Sequence, residues 1–293
     1  MSEAWSSAER ESAVTDFDEY GAYESLAHSL ETDDHRWAFG TGFDDPLAGI
    51  DTAVPDGVDA AALAACCLGL GDDALIYSHR LQQWVTRAPE LEEETALANI
   101  ALDLLGQARL LLTRAAQAER AGRDEDQLAF FRDEPEFRNV RLVERADADF
   151  AELTARLLIF SAWRLAVFQS LTRTSKDPVL AAIAAKAVKE LTYHRDYAAG
   201  WVIRLGDGTD FSRAKTQAAL ETIWPLVGEL DLGEEVTGVI DAVIARATLT
   251  RPAAAPLGLV AGKSGRDGTH TEAMGYILAE LQSVARAHPG ARW

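Results

Sequence analysis

Two helical stretches carry polar side chains at four-residue intervals, a spacing that stacks them along one face of a helix. In ELEEETALANIALDLLGQARLLL, Asn99, Asp103 and Gln107 form one stripe beside the apolar Leu97, Ile100, Leu104, Ala108 and Leu111. In AAKAVKELTYHRDYAAGW, Lys186, Glu190 and His194 form a second. Carboxylates and imidazoles lining a helical interior are what a di-iron centre uses: one Glu on each of two helices and a Glu-x-x-His pair on each of the other two. Against that template the spacing is broken. Gly106 stands three residues after Asp103 and Leu191 three before His194, while Lys186 brings an ammonium to where a metal cation would sit. Three readings of the stripes stay open: a solvated helix face, an interior network in which Asp103, Glu190 and the amides pair with Lys186 or arginines, and an unorthodox metal site.

Other motifs carry less. LGLVAGKSG (257–265) approaches a phosphate-binding loop, but Leu257 stands where the first glycine is required, so the stretch reads as a flexible loop whose Lys263 and Arg266 could meet an anionic group. His79 reads as a hydrogen-bonded structural histidine. Cys66 and Cys67 are adjacent in an apolar run, poorly placed for a disulfide, and read as reduced core residues. No cluster of Cys and His has zinc-site spacing.

The elements that position these residues are helices. Between Arg123 and Ala199 there is no glycine and only Pro135 and Pro178, and no stretch alternates as a strand would. Apolar periodicity predicts helices over 57–68, 72–88, 91–121, 147–173, 179–205, 210–229 with a kink at Pro225, 233–250 and 270–287, the last opened by a Thr269–Glu272 capping box. Residues 123–139 read as a connector with short helical pieces. The fold class is all-α, with 72–88, 91–121, 147–173 and 179–205 as an antiparallel four-helix bundle.

Charge divides the chain of 293 residues unevenly. Residues 1–58 hold 14 acids against 2 bases, and the remainder 33 acids against 26 bases, for a net charge of −19. The expected organisation is an acidic, extended or partly ordered arm over 1–58 and a helical domain over 59–293. The acidic balance excludes a general nucleic-acid binder. No long uncharged apolar run and no signal peptide is read from the sequence, and a cytoplasmic location is expected.

Four stretches, LGDDALIYSHRLQQWVTRAPELEEETALANIALDLLGQARLLL, DEDQLAFFRDEPEFRNVRLVE, KELTYHRDYAAGWVIRLGDGT and GRDGTHTEAMGYILAELQSVAR, together resemble the PaaC family of phenylacetyl-CoA 1,2-epoxidase subunits. The resemblance runs from about Gly69 to the C-terminus. It implies a ferritin-like bundle that supports a related PaaA-like catalytic subunit without being catalytic itself. The partner would carry the di-iron centre and put one oxygen atom of O2 across the ring of phenylacetyl-CoA, with a reductase supplying electrons. No catalytic or cofactor-binding residue transfers to this chain. The polar residues Asn99, Asp103, Gln107, Lys186, Glu190 and His194 would then be a metal-free network in a degenerate site, and Lys186→Met should cost a few kcal/mol. A homodimer of the isolated chain is a further expectation, with the connector 128–139 and the helix around Met274 and Tyr276 as candidate faces. The alternative is an autonomous ferritin-like oxidase.

Overall fold

The computed structural model describes residues 47–253 and 262–291. The chain divides into two units, 1–45 and 46–293, and every described residue belongs to the second. The acidic arm therefore lies outside the described residues except for its last stretch, 47–58. That stretch packs on the helical core through Leu47, Ile50, Val54 and Val58, and its Thr52 carbonyl accepts a 2.6 Å bond from Arg114 Nη1.

Among the described residues the protein is all-α. Its elements are α1 (Ala60–Gln82), α2 (Leu91–Glu119), α3 (Glu125–Phe130), α4 (Phe150–Thr174), α5 (Pro178–Asp207), α6 (Asp210–Ile223), α7 (Gly233–Arg246) and α8 (Glu272–Ala287), with short 3-10 turns between them. α1 and α2 form one long hairpin, and α4 and α5 another. Cross-helix contacts fix how the hairpins face each other. Arg164 on α4 donates to the Leu70 carbonyl on α1 at 3.1 Å, and Phe160 lies edge-on to Tyr77 at 4.6 Å, so α1 and α4 are antiparallel. Gln107 meets Glu190, Asp103 meets His194 and Glu93 meets Trp201, so α2 and α5 are antiparallel too. The connector from 120 to 149 returns the chain along the bundle, and α2 and α4 run parallel across its diagonal. This is the ferritin-like arrangement.

Several boundaries differ from the periodicity, each for a physical reason. The two helices expected over 57–88 are one, because Gly69 and Gly71 do not interrupt it but let neighbours approach. A β-carbon on Gly71 would lie 2.9 Å from Leu112 Cδ2, and one on Gly69 would lie 2.9 Å from Arg266 Nη1. The helix expected to run to 229 stops at Ile223, where Pro225 turns the chain into a 3-10 segment. α8 starts after Thr271 rather than at a Thr269 box, and it has no side-chain cap, because the Thr271 hydroxyl donates to Glu144 at 2.6 Å instead of accepting from its own helix. The cysteines part company: Cys67 is fully buried, while Cys66, about a quarter turn further round the helix, is exposed.

α1 and α2 are long and apolar enough to cross a bilayer by length and composition alone. Here α1 is mostly covered by the bundle and carries two adjacent carboxylates, Asp72 and Asp73, fully buried and bonded inside the protein.

Those two carboxylates organise much of the fold. Asp72 takes two bonds from the Arg132 guanidinium, one of them at 3.0 Å, and one from the Arg138 backbone N–H at 2.8 Å. Asp73 accepts from the Val140 N–H at 2.8 Å and from Arg266 Nη2 at 2.6 Å. Arg266, which from the sequence is free to meet an external anion, is thus engaged by Asp73, and it also donates to the Gly69 and Arg138 carbonyls. Of the phosphate-loop-like stretch, residues 257–261 lie outside the described residues. A third buried carboxylate, Glu144, ties the connector to the start of α8 through Asn139, His270 and Thr271. Arg114–Asp177 and Arg156–Asp147 are further ion pairs with almost no exposure. Burial pushes the Asp72 carboxyl above the ordinary carboxylate range, with Arg132 opposing. Replacing Asp72 by Asn leaves the Arg132 guanidinium buried without its charge partner, which should cost about 3–5 kcal/mol in urea-induced unfolding.

Candidate functional site

The two polar stripes do meet, at the centre of the bundle, but only in part. Gln107, on α2, donates from Nε2 to Glu190 Oε2 on α5 at 2.8 Å, and one turn away Asp103 Oδ2 bonds His194 Nε2 at 2.9 Å. Gln107 and His194 are buried, and Asp103 and Glu190 reach partly to solvent. Asn99 and Lys186 lie at the surface. Lys186, 43% exposed, faces Glu190 only at 3.7 Å and one turn along the same helix.

The interior cation is instead Arg164 on α4, fully buried. Its Nε donates to Gln107 Oε1 at 3.0 Å, and its nearest carboxylate, Asp73, stands 4.0 Å away. Burial pushes its pKa down to about 10, with Asp73 opposing and Arg266 adding to the fall, so the guanidinium remains charged at neutral pH. Burial likewise lowers His194, against the pull of Asp103 and with a further push from Arg164. Glu190 is raised by burial and by Asp103, against its bonds from Gln107 and Lys186.

The frame in which a metal motif should be sought on α2 is also corrected. A β-carbon on Gly106 would meet nothing within 4 Å, so that position faces away from the centre. The pairs three residues apart that do turn inward are Leu104 with Gln107 and Leu191 with His194, all buried. Leucines stand where a Glu-x-x-His motif needs its carboxylates, an amide stands for one imidazole, and a guanidinium is bonded across the middle. These donors do not fit a di-iron centre. No group of three metal-ligating residues occurs among the described residues.

A further polar cluster lies nearer the start of α2. Glu93, buried, accepts from the Tyr197 hydroxyl and from Trp201 Nε1, the latter at 2.8 Å. Burial, and then Glu93, raise the Tyr197 hydroxyl, which stays protonated and donates. Periodicity alone gives Glu93 no role beyond a favourable first-turn charge; the sequence signal for more is its place one turn before the buried Leu97. Stripe spacing also misses the interior arginines, although Arg156 and Arg164 sit in ARLLIFSAWRLAVF, where charge in an apolar run is the signal. His79 is the structural residue expected, bonded to Glu280 at 3.2 Å. Of the proposed partner faces, Met274 and the connector's Leu128, Ala129, Arg132, Phe137 and Asn139 are buried within the chain, while Phe131, the stretch 133–136 and Tyr276 are exposed.

An all-α bundle of ferritin-like topology, its centre closed by an arginine and amide network, defines the class. Residues 51–239 and 231–293 match the family described as phenylacetic acid catabolic protein, and the chain belongs to that family, with a role in phenylacetate catabolism. It is 43% identical over 247 residues to the C subunit of the 1,2-phenylacetyl-CoA epoxidase of Escherichia coli (strain K12), a match covering 79% of this chain and 99% of that relative.

Two outcomes follow from the central geometry. Because Lys186 is solvent-exposed, Lys186→Met should change stability by less than about 1 kcal/mol, not the few expected of a buried pair. The fold favours neutral His194, so its contribution is full above the free imidazole value of 6.5 and is lost as pH falls below it. Between pH 7 and 5, Tm should fall more steeply in the native chain than in His194→Gln; equal slopes would contradict this.

Proposed function

We propose that this chain is a non-catalytic structural subunit of a cytoplasmic phenylacetyl-CoA 1,2-epoxidase, and that it supports a related di-iron catalytic subunit. The observation that carries this reading is the filling of the bundle centre. Leu104 and Leu191 occupy the inward carboxylate positions, and Arg164 spans the interior to Gln107. A resident guanidinium opposes a pair of metal cations both electrostatically and by volume, so iron belongs to the partner. When bound there, that centre supplies the oxygen-transfer chemistry. The residues of this chain hold a helical surface against the partner.

A supporting subunit also needs a face for its partner, and the outer side of α2 offers one. Leu91, Thr95, Ala98, Leu102, Leu105 and Arg109 follow one another at alternating steps of four and three, the spacing of a helix-pairing seam. Leu91, Leu102 and Leu105 are 71%, 56% and 37% exposed. A helix of the catalytic subunit is the occupant this reading assigns to the seam.

Metal analysis of the chain expressed alone in iron-supplemented cells should give far less than one iron per chain, whereas about two would identify it as an oxidase in its own right. Co-expressed with the di-iron paralogue, the chain should co-purify and be required for epoxidation of phenylacetyl-CoA. Leu102→Asp combined with Leu105→Asp should abolish co-purification while leaving the Tm of the isolated chain nearly unchanged.

A further inference from the structure

Three buried polar atoms at the bundle centre have no partner among the described residues: Ser161 Oγ and Arg164 Nη2 on α4, and His194 Nδ1 on α5. All three residues are fully buried. The helix directions place them at neighbouring levels of the bundle. Arg164 stands level with Gln107, to which it is bonded, and α2 and α4 run parallel. One turn towards their N-termini, Ser161 therefore comes level with Asp103, and Asp103 is bonded to His194. The Arg164 charge is close enough to act on His194.

The hydrogen-bonding capacity of these atoms narrows what can sit between them. Asp103 is a carboxylate acceptor, so His194 Nε2 carries the proton and Nδ1 of the neutral ring presents a lone pair. Arg164 Nη2 offers only protons, and its guanidinium is already held in place through Nε to Gln107 and through Nη1 to the Leu70 carbonyl. The Ser161 hydroxyl can give or accept. An occupant must accept from Arg164 and donate to His194. A simple anion cannot donate to Nδ1, and a metal cation cannot accept from a guanidinium. A water molecule does both and takes Ser161 as its third partner, which is the usual coordination of buried water.

We propose that the centre of this bundle binds a single structural water between Ser161 Oγ, Arg164 Nη2 and His194 Nδ1. The water completes a polar chain running Glu190, Gln107, Arg164, water, His194, Asp103 across α5, α2 and α4. It fixes the imidazole in the tautomer with its proton on Nε2. The inference rests on the reading of this centre as metal-free.

A crystal structure of the full chain at about 1.6 Å or better tests it directly, since ordered water is then resolved while hydrogens are not. The expected result is one spherical density peak, without anomalous signal, within hydrogen-bonding distance of all three atoms. In Ser161→Ala the peak should persist at lower occupancy. In Ser161→Val it should vanish, together with one long-lived water in the 17O relaxation dispersion of the native chain. A dry centre, with the Ser161 hydroxyl turned to the Leu157 carbonyl, would overturn the water alone and leave the supporting-subunit reading intact. An anomalous scatterer bound at His194, matched by iron in the metal analysis, would overturn both.

Discussion

Two adjacent carboxylates in the middle of an apolar helix must each find a counter-charge, and the fold is arranged around that need. Asp72 and Asp73 lie on neighbouring positions of α1 and so point about 100° apart. One recruits Arg132 and the Arg138 amide, the other Arg266 and the Val140 amide. The connector between the two helical hairpins is thereby held from both of its sides, and a residue close to the C-terminal helix is brought to the same point. Buried ions contribute little net stability when paired and cost much when unpaired. Their effect here is to exclude alternative paths for a long irregular segment that hydrophobic burial alone would leave underdetermined.

The same physics governs the bundle centre. Ferritin-like bundles that hold metal offset a cluster of carboxylates with two cations. In this chain the carboxylate count is reduced and the cation is covalent. Arg164 reaches across the diagonal, Gln107 relays its charge to Glu190, and His194 is kept neutral by burial and by the neighbouring guanidinium. The interior keeps polar residues without keeping a donor set. This interior belongs to a chain that is 43% identical to one subunit of an epoxidase.

Much of the architecture is legible along the chain. Helices expected over 91–121, 147–173 and 179–205 fall within a few residues of α2, α4 and α5, because long stretches of apolar residues at helical spacing admit little else. The break expected between 68 and 72 fails because a glycine in a helix reads as punctuation, whereas Gly69 and Gly71 serve close approach by Arg266 and Leu112, partners distant in sequence. The central stripes are half legible. Asp103, Gln107, Glu190 and His194 converge, but four-residue spacing cannot tell the inner flank of a helix from its outer one, and Asn99 and Lys186 fall on the outer.

The sequence by itself determined that the chain is helical, that its long helices form a bundle, and that a Glu-x-x-His pair is missing from both polar stripes. These follow from local periodicity and from residue types, which any contiguous segment displays. Only the tertiary structure decided which cation neutralises the interior, that position 104 rather than 103 pairs inward with Gln107, and that Arg266 closes on Asp73. Each of those depends on the rotation of one helix about its axis relative to another. That rotation is set by packing and ion pairing between residues some 60 to 190 positions apart, which no local pattern encodes.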